Sequence, residues 1–478
     1  MLLPLALVPW LVALAREESR GRALLSGLVF GIAYWCTSIP WIVYVVTRYG
    51  GQSLALGVAS LVILALILAQ WPAMVAWATV SIAPSGSARR LAVFPLLWMA
   101  SEHARSFFYK GFPWNLTGHA LYRHPIWLQS ASLWGVFGIG ALTLGVSALL
   151  AGAVSRGRAR PLLFGALLVL AVGVWGAVRL ASPQAGRAEL TVALLQPNLT
   201  EQMRATPEGA ARSYQAVIAQ ARQVAGQRPG LILIPESALP AYWDRSEMLR
   251  HDLASIAREG SSILFSDVQE DSDGRYYNAA RLLTPSGMAG RPYRKVHLVP
   301  FGEYVPLPKV FFFVRQISSE IGEFSAAPEP ALIRSGPLAI GVGICYEIIY
   351  PSLALREVAA GANLLVTISN DSWYGHGGAQ EQHFAGAVLR SVENSRSLLR
   401  AAITGISGIV DARGRIRAQS RPDEKTTLTG TVVLGEERTA WTRWGFWIPR
   451  VADLGALGVL IFGLVRLRRQ PTRLKAES

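Results

Sequence analysis

Leu338-Ala339-Ile340-Gly341-Val342-Gly343-Ile344-Cys345-Tyr346-Glu347 is an apolar run with alternating glycines that ends on a cysteine, with a tyrosine and a glutamate directly behind it. Such a run, without helical period, reads as a buried strand. The thiol then stands where a strand stops and a loop begins, the edge at which open α/β sheets bind ligands. The competing reading is a buried cysteine acting as a small hydrophobe.

Two further strand ends carry polar groups. Leu231-Ile232-Leu233-Ile234 runs into Pro235-Glu236-Ser237, and Leu364 to Ser369 runs into Asn370-Asp371-Ser372-Trp373. One polar residue at a strand end is a cap or turn residue; three at one sheet edge suggest a site. Around them, residues 187–440 alternate short apolar strands (190–195, 231–234, 261–267, 276–283, 338–344, 363–369, 399–404, 406–411 and 428–434) with amphipathic segments (206–225, 245–257, 352–360 and 379–397). This is the pattern of one large α/β domain.

The rest of the chain is different. Of 478 residues 51% are hydrophobic and only 16% charged, with 15 tryptophans and a net charge of +15. Apolar runs lie at about 2–15, 23–46, 54–83, 91–104, 126–154, 161–182 and 445–465. A helix of roughly 20 residues crosses the hydrocarbon core, so these runs read as seven spans, six before the α/β region and one after. The expected division is 1–186 for the N-terminal transmembrane helices, 187–440 for the α/β domain, and 441–478 for a last helix with a basic tail.

The arginines lie between and beyond the runs, which fits membrane topology rather than nucleic acid. Loops near residues 16–22, 89–90 and 156–160 and the tail hold most of them. The alternate loops hold only Arg48, Arg105, Lys110 and Arg123. The first set is expected to be cytoplasmic, which puts the α/β region outside the cytoplasm. The same count puts the N-terminus outside. This suggests that Met1 is not the ancestral start and that one helix is missing. Cys36 and Cys345 are the two cysteines, and Cys36 lies within an apolar run, so no disulfide is expected between them.

A fourth polar group is Tyr293-Arg294-Lys295-Val296-His297, followed by Val299-Pro300-Phe301-Gly302-Glu303-Tyr304-Val305-Pro306. Proline and aromatics fix this backbone, and a fixed lysine beside a thiol lowers its pKa and holds a developing oxyanion. Glu236, Lys295 and Cys345 thus make a coherent set. The thiolate attacks a carbonyl to form a thioester, a carboxylate moves the proton, and a lysine faces the oxyanion. His297 and His383 stay open as alternative bases at this stage. This chemistry needs neither metal nor cofactor.

These residues resemble the Glu-Lys-Cys triad of the nitrilase superfamily. Together with the apolar runs, Gly111-Phe112-Pro113-Trp114-Asn115, Leu195-Gln196-Pro197-Asn198, Asn370 to Gly375 and Thr404-Gly405-Ile406-Ser407-Gly408, the chain resembles bacterial apolipoprotein N-acyltransferases over nearly its whole length. The resemblance implies membrane helices plus an α-β-β-α sandwich facing the periplasm, in the inner membrane. It implies transfer of an acyl chain, typically from phosphatidylethanolamine, to the amino group of a diacylglyceryl cysteine on a lipoprotein.

Carried over, Glu236 is the base, Lys295 the oxyanion partner and Cys345 the nucleophile. Glu303 is an additional active-site glutamate, Tyr346 and Glu347 shape the site, and Trp373 lies near the acyl entrance. Where the family often has a tryptophan after a basic residue, this chain has Arg204-Ala205.

Val310-Phe311-Phe312-Phe313-Val314 is either a buried strand or a loop that dips into the interface, with Phe312 and Phe313 admitting the acyl chain. Trp441, Trp444 and Trp447 read as interfacial anchors. Glu102 and Arg105 read as a structural pair at the end of the fourth run. Two other functions compete: a membrane-tethered amidase or nitrilase, and a lipoprotein-binding protein without catalysis.

Overall fold

The computed structural model describes residues 3–108, 111–305 and 323–468. The chain forms two compact units, one of Met1–Pro40, Val58–Val178 and Trp444–Ser478, the other of Trp41–Gly57 and Arg179–Arg443. Phe312 and Phe313 lie outside the described residues.

The first unit is helical. Leu54–Ile82, Ala131–Arg156 and Arg160–Ala181 are long and apolar enough to cross a membrane. A fourth qualifies if Arg20–Ser38 and the following Trp41–Tyr49 count as one span, although they bend by 56°. The run at 23–46 is therefore not one straight helix. It breaks before Trp41, at Pro40, whose ring and missing N–H disfavour continuation.

Among the described residues, three or four helices meet the length and composition of a span. Pro4–Arg16 is short. Ala88–Arg105 carries Arg90, Glu102 and Arg105, all buried. Their side chains serve the bundle interior. Arg90 donates to the carbonyls of Ala83 and Leu14, satisfying helix ends. Glu102 accepts from the Thr117 N–H and hydroxyl, and Arg105 donates to the carbonyls of Phe112 and Trp114. Both hold the 112–117 loop, a use that the expected pairing of the two side chains did not foresee. In Ile448–Arg468, Asp453 meets His103 at 2.7 Å. Trp444 and Trp447 are exposed, but Trp441 is buried as part of the second unit and is core rather than anchor.

The second unit holds two six-stranded sheets. In chain order the strands are β1 (Gly186–Gln196), β2 (Leu231–Leu233), β3 (Ser262–Glu270), β4 (Tyr276–Thr284), β5 (Gly287–Arg294), β6 (Ile333–Ser335), β7 (Leu338–Ile344), β8 (Leu364–Ser369), β9 (Leu398–Ala402), β10 (Gly408–Val410), β11 (Ile416–Gln419) and β12 (Thr426–Gly435). The orders are β12-β1-β2-β3-β4-β5 and β11-β10-β9-β8-β7-β6. In each sheet three neighbours are parallel, β1-β2-β3 and β7-β8-β9. β5, β6 and β11 were not read from the sequence, because β6 and β11 lie at sheet edges or alternate with exposed residues and β5 carries Arg291 and Pro292.

Strand alternation assigns the layers. Ile340, Val342 and Ile344 of β7 join Leu231, Leu233, Val366 and Leu399 in one core between the sheets. The outer face of the first sheet is covered by helices Pro207–Ala225 and Glu247–Ala257. On the second, helices Pro351–Ala359 and Ala379–Asn394 approach closely, with Glu357 against Gly341 and Phe384 against Gly408. The architecture is α-β-β-α.

One glycine of the opening stretch, Gly341, now has a cause. A Cβ on Gly341 would lie 2.8 Å from Glu357 Oε2 and 3.0 Å from Leu365 Cδ2. Gly341→Val is expected to cost about 1–3 kcal/mol through overpacking, read as a lower thermal midpoint of the purified protein. An unchanged midpoint would mean that the helix over β7 is not tightly seated.

Candidate active site

Four chain segments deliver polar groups to one end of the paired sheets. Glu236 follows β2, Lys295 follows β5, Cys345 follows β7, and Asn370 and Asp371 follow β8. At the parallel strands this is the C-terminal edge, where side chains emerge at a loop held by buried strands.

Lys295 is 1% exposed. Its Nζ lies 2.9 Å from Glu303 Oε1 and 3.7 Å from Glu236 Oε1. The Asn278 amide bridges the same two oxygens, donating to each at 2.9 Å. The outer oxygens are also held: Glu236 Oε2 accepts from Asn370 N at 2.9 Å, and Glu303 Oε2 accepts from Val299 N at 2.8 Å. Burial works to lower the Lys295 pKa, but Glu303, then Glu236, outweigh it and hold the ammonium well above the ordinary lysine value. Lys295 stays a cation throughout the physiological range.

Cys345 is buried and adopts a left-handed backbone, φ 51°. A non-glycine residue takes this conformation only where its surroundings compel it. Two contacts do so: Ile344 N donates to Glu347 Oε2 at 2.8 Å, and His383 Nε2 lies 2.8 Å from the Cys345 carbonyl oxygen. Burial, then Glu236, pushes the thiol above its ordinary value, while Lys295 pulls the other way. The resting group is a neutral thiol beside a carboxylate.

Glu347 ties the two loops together. Its Oε1 accepts from Val296 N and His297 N at 2.6 and 2.9 Å, and its Oε2 from Tyr293 OH and Ile344 N, each at 2.8 Å. Burial pushes its pKa up to about 7, against the pull of Lys295 and these donors. Tyr346 is buried and meets the Tyr350 ring edge-on at 5.4 Å; Tyr350 in turn stacks on His297 at 4.0 Å. Trp373 stands half-buried, 4.4 Å from the Tyr49 ring.

His383 is fully buried and its ring nitrogens are committed. Nδ1 lies 3.1 Å from both Asp371 Oδ1 and Arg400 Nη2, and Arg400 pairs with Asp371 at 2.6 Å. Burial, then Arg400, lowers the His383 pKa, so the neutral ring accepts from Arg400 and its Nε2–H donates to the Cys345 carbonyl. Burial opposes the Asp371 charge, yet the Arg400 guanidinium beside it holds the carboxyl well below the usual carboxylate range. This places His383 behind the backbone of Cys345 and not as a base toward the thiol.

Asn278 and Arg400 escaped the sequence reading. Arg400 left a signal, a charge inside the five-residue buried strand β9; Asn278, in the polar stretch of β4, left none. Among the described residues, no group of three or more histidine, cysteine or carboxylate side chains could hold a metal.

Alkylation of the Cys345 peptide, followed by mass spectrometry, is expected to keep accelerating past pH 9, the ordinary cysteine value, because the folded thiol titrates above it. Glu236→Gln should move the curve to lower pH by removing a raising charge. A plateau below pH 9 in the wild type would contradict this electrostatic picture. Glu347→Gln cannot accept from all four donors, and each buried donor left unpaired costs about 1–3 kcal/mol. Its thermal midpoint should therefore fall.

A family model described as the apolipoprotein N-acyltransferase N-terminal domain matches residues 1–149, and one described as carbon-nitrogen hydrolase matches residues 191–441. A protein named apolipoprotein N-acyltransferase from Geobacter metallireducens is 34% identical over 458 residues, covering 92% of this chain and 87% of that one. One of the same name from Methylococcus capsulatus is 33% identical over 96% of this chain and 94% of its own. Another, from Azotobacter vinelandii, is 31% identical over 99% and 94%.

Proposed function

Because the chain belongs to the apolipoprotein N-acyltransferase family, we propose that it moves one acyl chain from phosphatidylethanolamine to the amino-terminal diacylglyceryl cysteine of lipoproteins. It is an acyltransferase of lipoprotein biosynthesis in the nitrilase superfamily, with a lipid-using reaction and membrane helices. Its place is the bacterial inner membrane, with the α/β unit on the periplasmic side; the basic loops found in sequence support that orientation. The domain division at about 186 and 440 belongs to this proposal.

The observation that carries the mechanism is a buried lysine held between Glu236 and Glu303 beside a thiol in a left-handed turn. Glu236 is the general base. It takes the thiol proton as Cys345 Sγ bonds to the donor's ester carbonyl carbon. Lys295 faces the oxyanion that forms. The carbon–oxygen ester bond then breaks, Glu236 returns the proton to the departing hydroxyl, and lysophospholipid leaves a thioester on Cys345.

In the second half the lipoprotein amine attacks that thioester. Glu236 accepts the amine proton and passes it to the departing sulfur, restoring the thiol. Glu303 and Asn278 keep Lys295 charged and aimed. Glu347 and Tyr346 shape the nucleophile's loop, His383 fixes its backbone, and Trp373 borders the lipid entrance. Phe312 and Phe313 retain their proposed part in admitting the acyl chain.

The hydrolytic alternative is disfavoured, since the matched relatives extend over both units rather than the hydrolase-like one alone.

The test uses the purified full chain, phosphatidylethanolamine labelled in one acyl chain, and a diacylglyceryl lipopeptide. Label should reach the peptide amine. Cys345→Ala should abolish transfer, and Glu236→Gln should slow it by about 10²–10⁴-fold. Transfer by Cys345→Ala at the wild-type rate would overturn the mechanism. Phosphatidylglycerol serving better than phosphatidylethanolamine would overturn the donor assignment.

A further inference from the structure

A cleft of about 350 Å³ opens within the second unit, next to the turn that carries Asn370 and Trp373. That volume falls in the range of small-ligand pockets, roughly 300–1,000 Å³. The catalytic account above makes no use of it. Its walls are the 41–57 segment, the start of helix Glu201–Arg204, and the loops after β8, β9 and β11.

Four features of the cleft point to a ligand. First, its charges are mixed. Arg48 stands exposed on one wall, while Glu201 and Asp423 stand on others. Both carboxylates keep open faces, with side chains 45% and 41% exposed although Arg204 and His376 meet them. Second, Thr404 is 2% exposed and lines the cleft, and its hydroxyl has no hydrogen-bond partner in the structure. A buried hydroxyl left unpaired costs free energy that a ligand acceptor would recover. Third, the wall is fixed. The Tyr49 hydroxyl donates to the Ser372 carbonyl at 2.5 Å, and Ser372 in turn bonds Asn370, whose N–H holds Glu236.

Fourth, one wall of the cleft runs on along the chain into a helix long and apolar enough to cross a membrane. Arg48 precedes by six residues the start of Leu54–Ile82, a 29-residue apolar helix. Six residues of extended chain reach at most about 20 Å. Tyr44 and Tyr49 flank that arginine, the residue type that gathers at membrane interfaces.

We infer that this cleft binds the zwitterionic phosphoethanolamine headgroup of the donor lipid, the phosphate against Arg48 and the Thr404 hydroxyl, the ammonium between Glu201 and Asp423. An anionic headgroup would meet the same two carboxylates without a compensating positive charge, so the cleft also selects the donor. This rests on the proposed use of a phospholipid and adds where its head is held. Through the Ser372–Asn370–Glu236 hydrogen bonds, an occupied cleft borders the loop that orients the base.

The test uses the full-length protein in detergent, with sn-glycero-3-phosphoethanolamine as the water-soluble probe and calorimetry as the readout. The probe should bind the wild type, with affinity about tenfold weaker in Arg48→Gln, a change of about 1.4 kcal/mol, and several-fold weaker in Thr404→Val. Inorganic phosphate should bind less tightly than the probe. In turnover, Arg48→Gln should raise the KM for phosphatidylethanolamine by a similar factor and leave the KM for the lipopeptide alone. Unchanged probe binding in both variants, equal binding of inorganic phosphate, or a shift confined to the lipopeptide KM would each overturn the assignment. The binding arm does not involve Cys345. A protein that binds the probe through Arg48 yet transfers no acyl chain would refute the proposed function and leave the headgroup site standing.

Discussion

One buried ammonium organises the catalytic end of this molecule. Lys295 has almost no solvent to stabilise it, so its charge persists only because Glu303 and Glu236 surround it. The same arrangement restrains the carboxylates. Asn278 spans them, and backbone N–H groups from two separate loops take up their remaining oxygens. Removing one partner would leave an uncompensated charge in the interior, which is far costlier than losing an exposed pair.

From this follows the need for two sheets. Glu236, Asn278 and Lys295 belong to the first, Cys345 and Asn370 to the second, and the packed apolar faces between them set the distance. Glu347 reinforces the joint, since a residue behind β7 receives hydrogen bonds from the segment that follows β5. The His383–Asp371–Arg400 group does comparable work beneath the nucleophile. It carries ionic groups at full burial, each with a partner, and its histidine meets the Cys345 carbonyl. A left-handed cysteine is therefore supported on both sides.

Much of this was legible in the sequence because period and chemistry coincide at the parallel strands. β2, β7 and β8 are continuous apolar runs that end in polar residues, so strand and site announce themselves together. β5 and β11 gave no such signal, their exposed faces being polar. Burial bears on the helical region as well. Helix Ala88–Arg105 reads as a doubtful span because its charges are spent inside the bundle, and Trp441 reads as an anchor although it is core. The bend before Trp41 was written in Pro40, but apolar composition on both sides concealed it. Asn278 acts through partners distant in the chain, which no local pattern can disclose, whereas Arg400 showed only as a charge within an apolar strand.

The account stands or falls on a covalent acyl group at Cys345. The direct measurement is the mass of the purified enzyme and of its Cys345 peptide after incubation with phosphatidylethanolamine, before and after a diacylglyceryl lipopeptide is added. The prediction is one fatty acyl chain on Cys345 without acceptor, discharged when the lipopeptide arrives, and its appearance in the peptide product. Triacylated product formed with Cys345 never modified, or an adduct that persists while product accumulates, would contradict it.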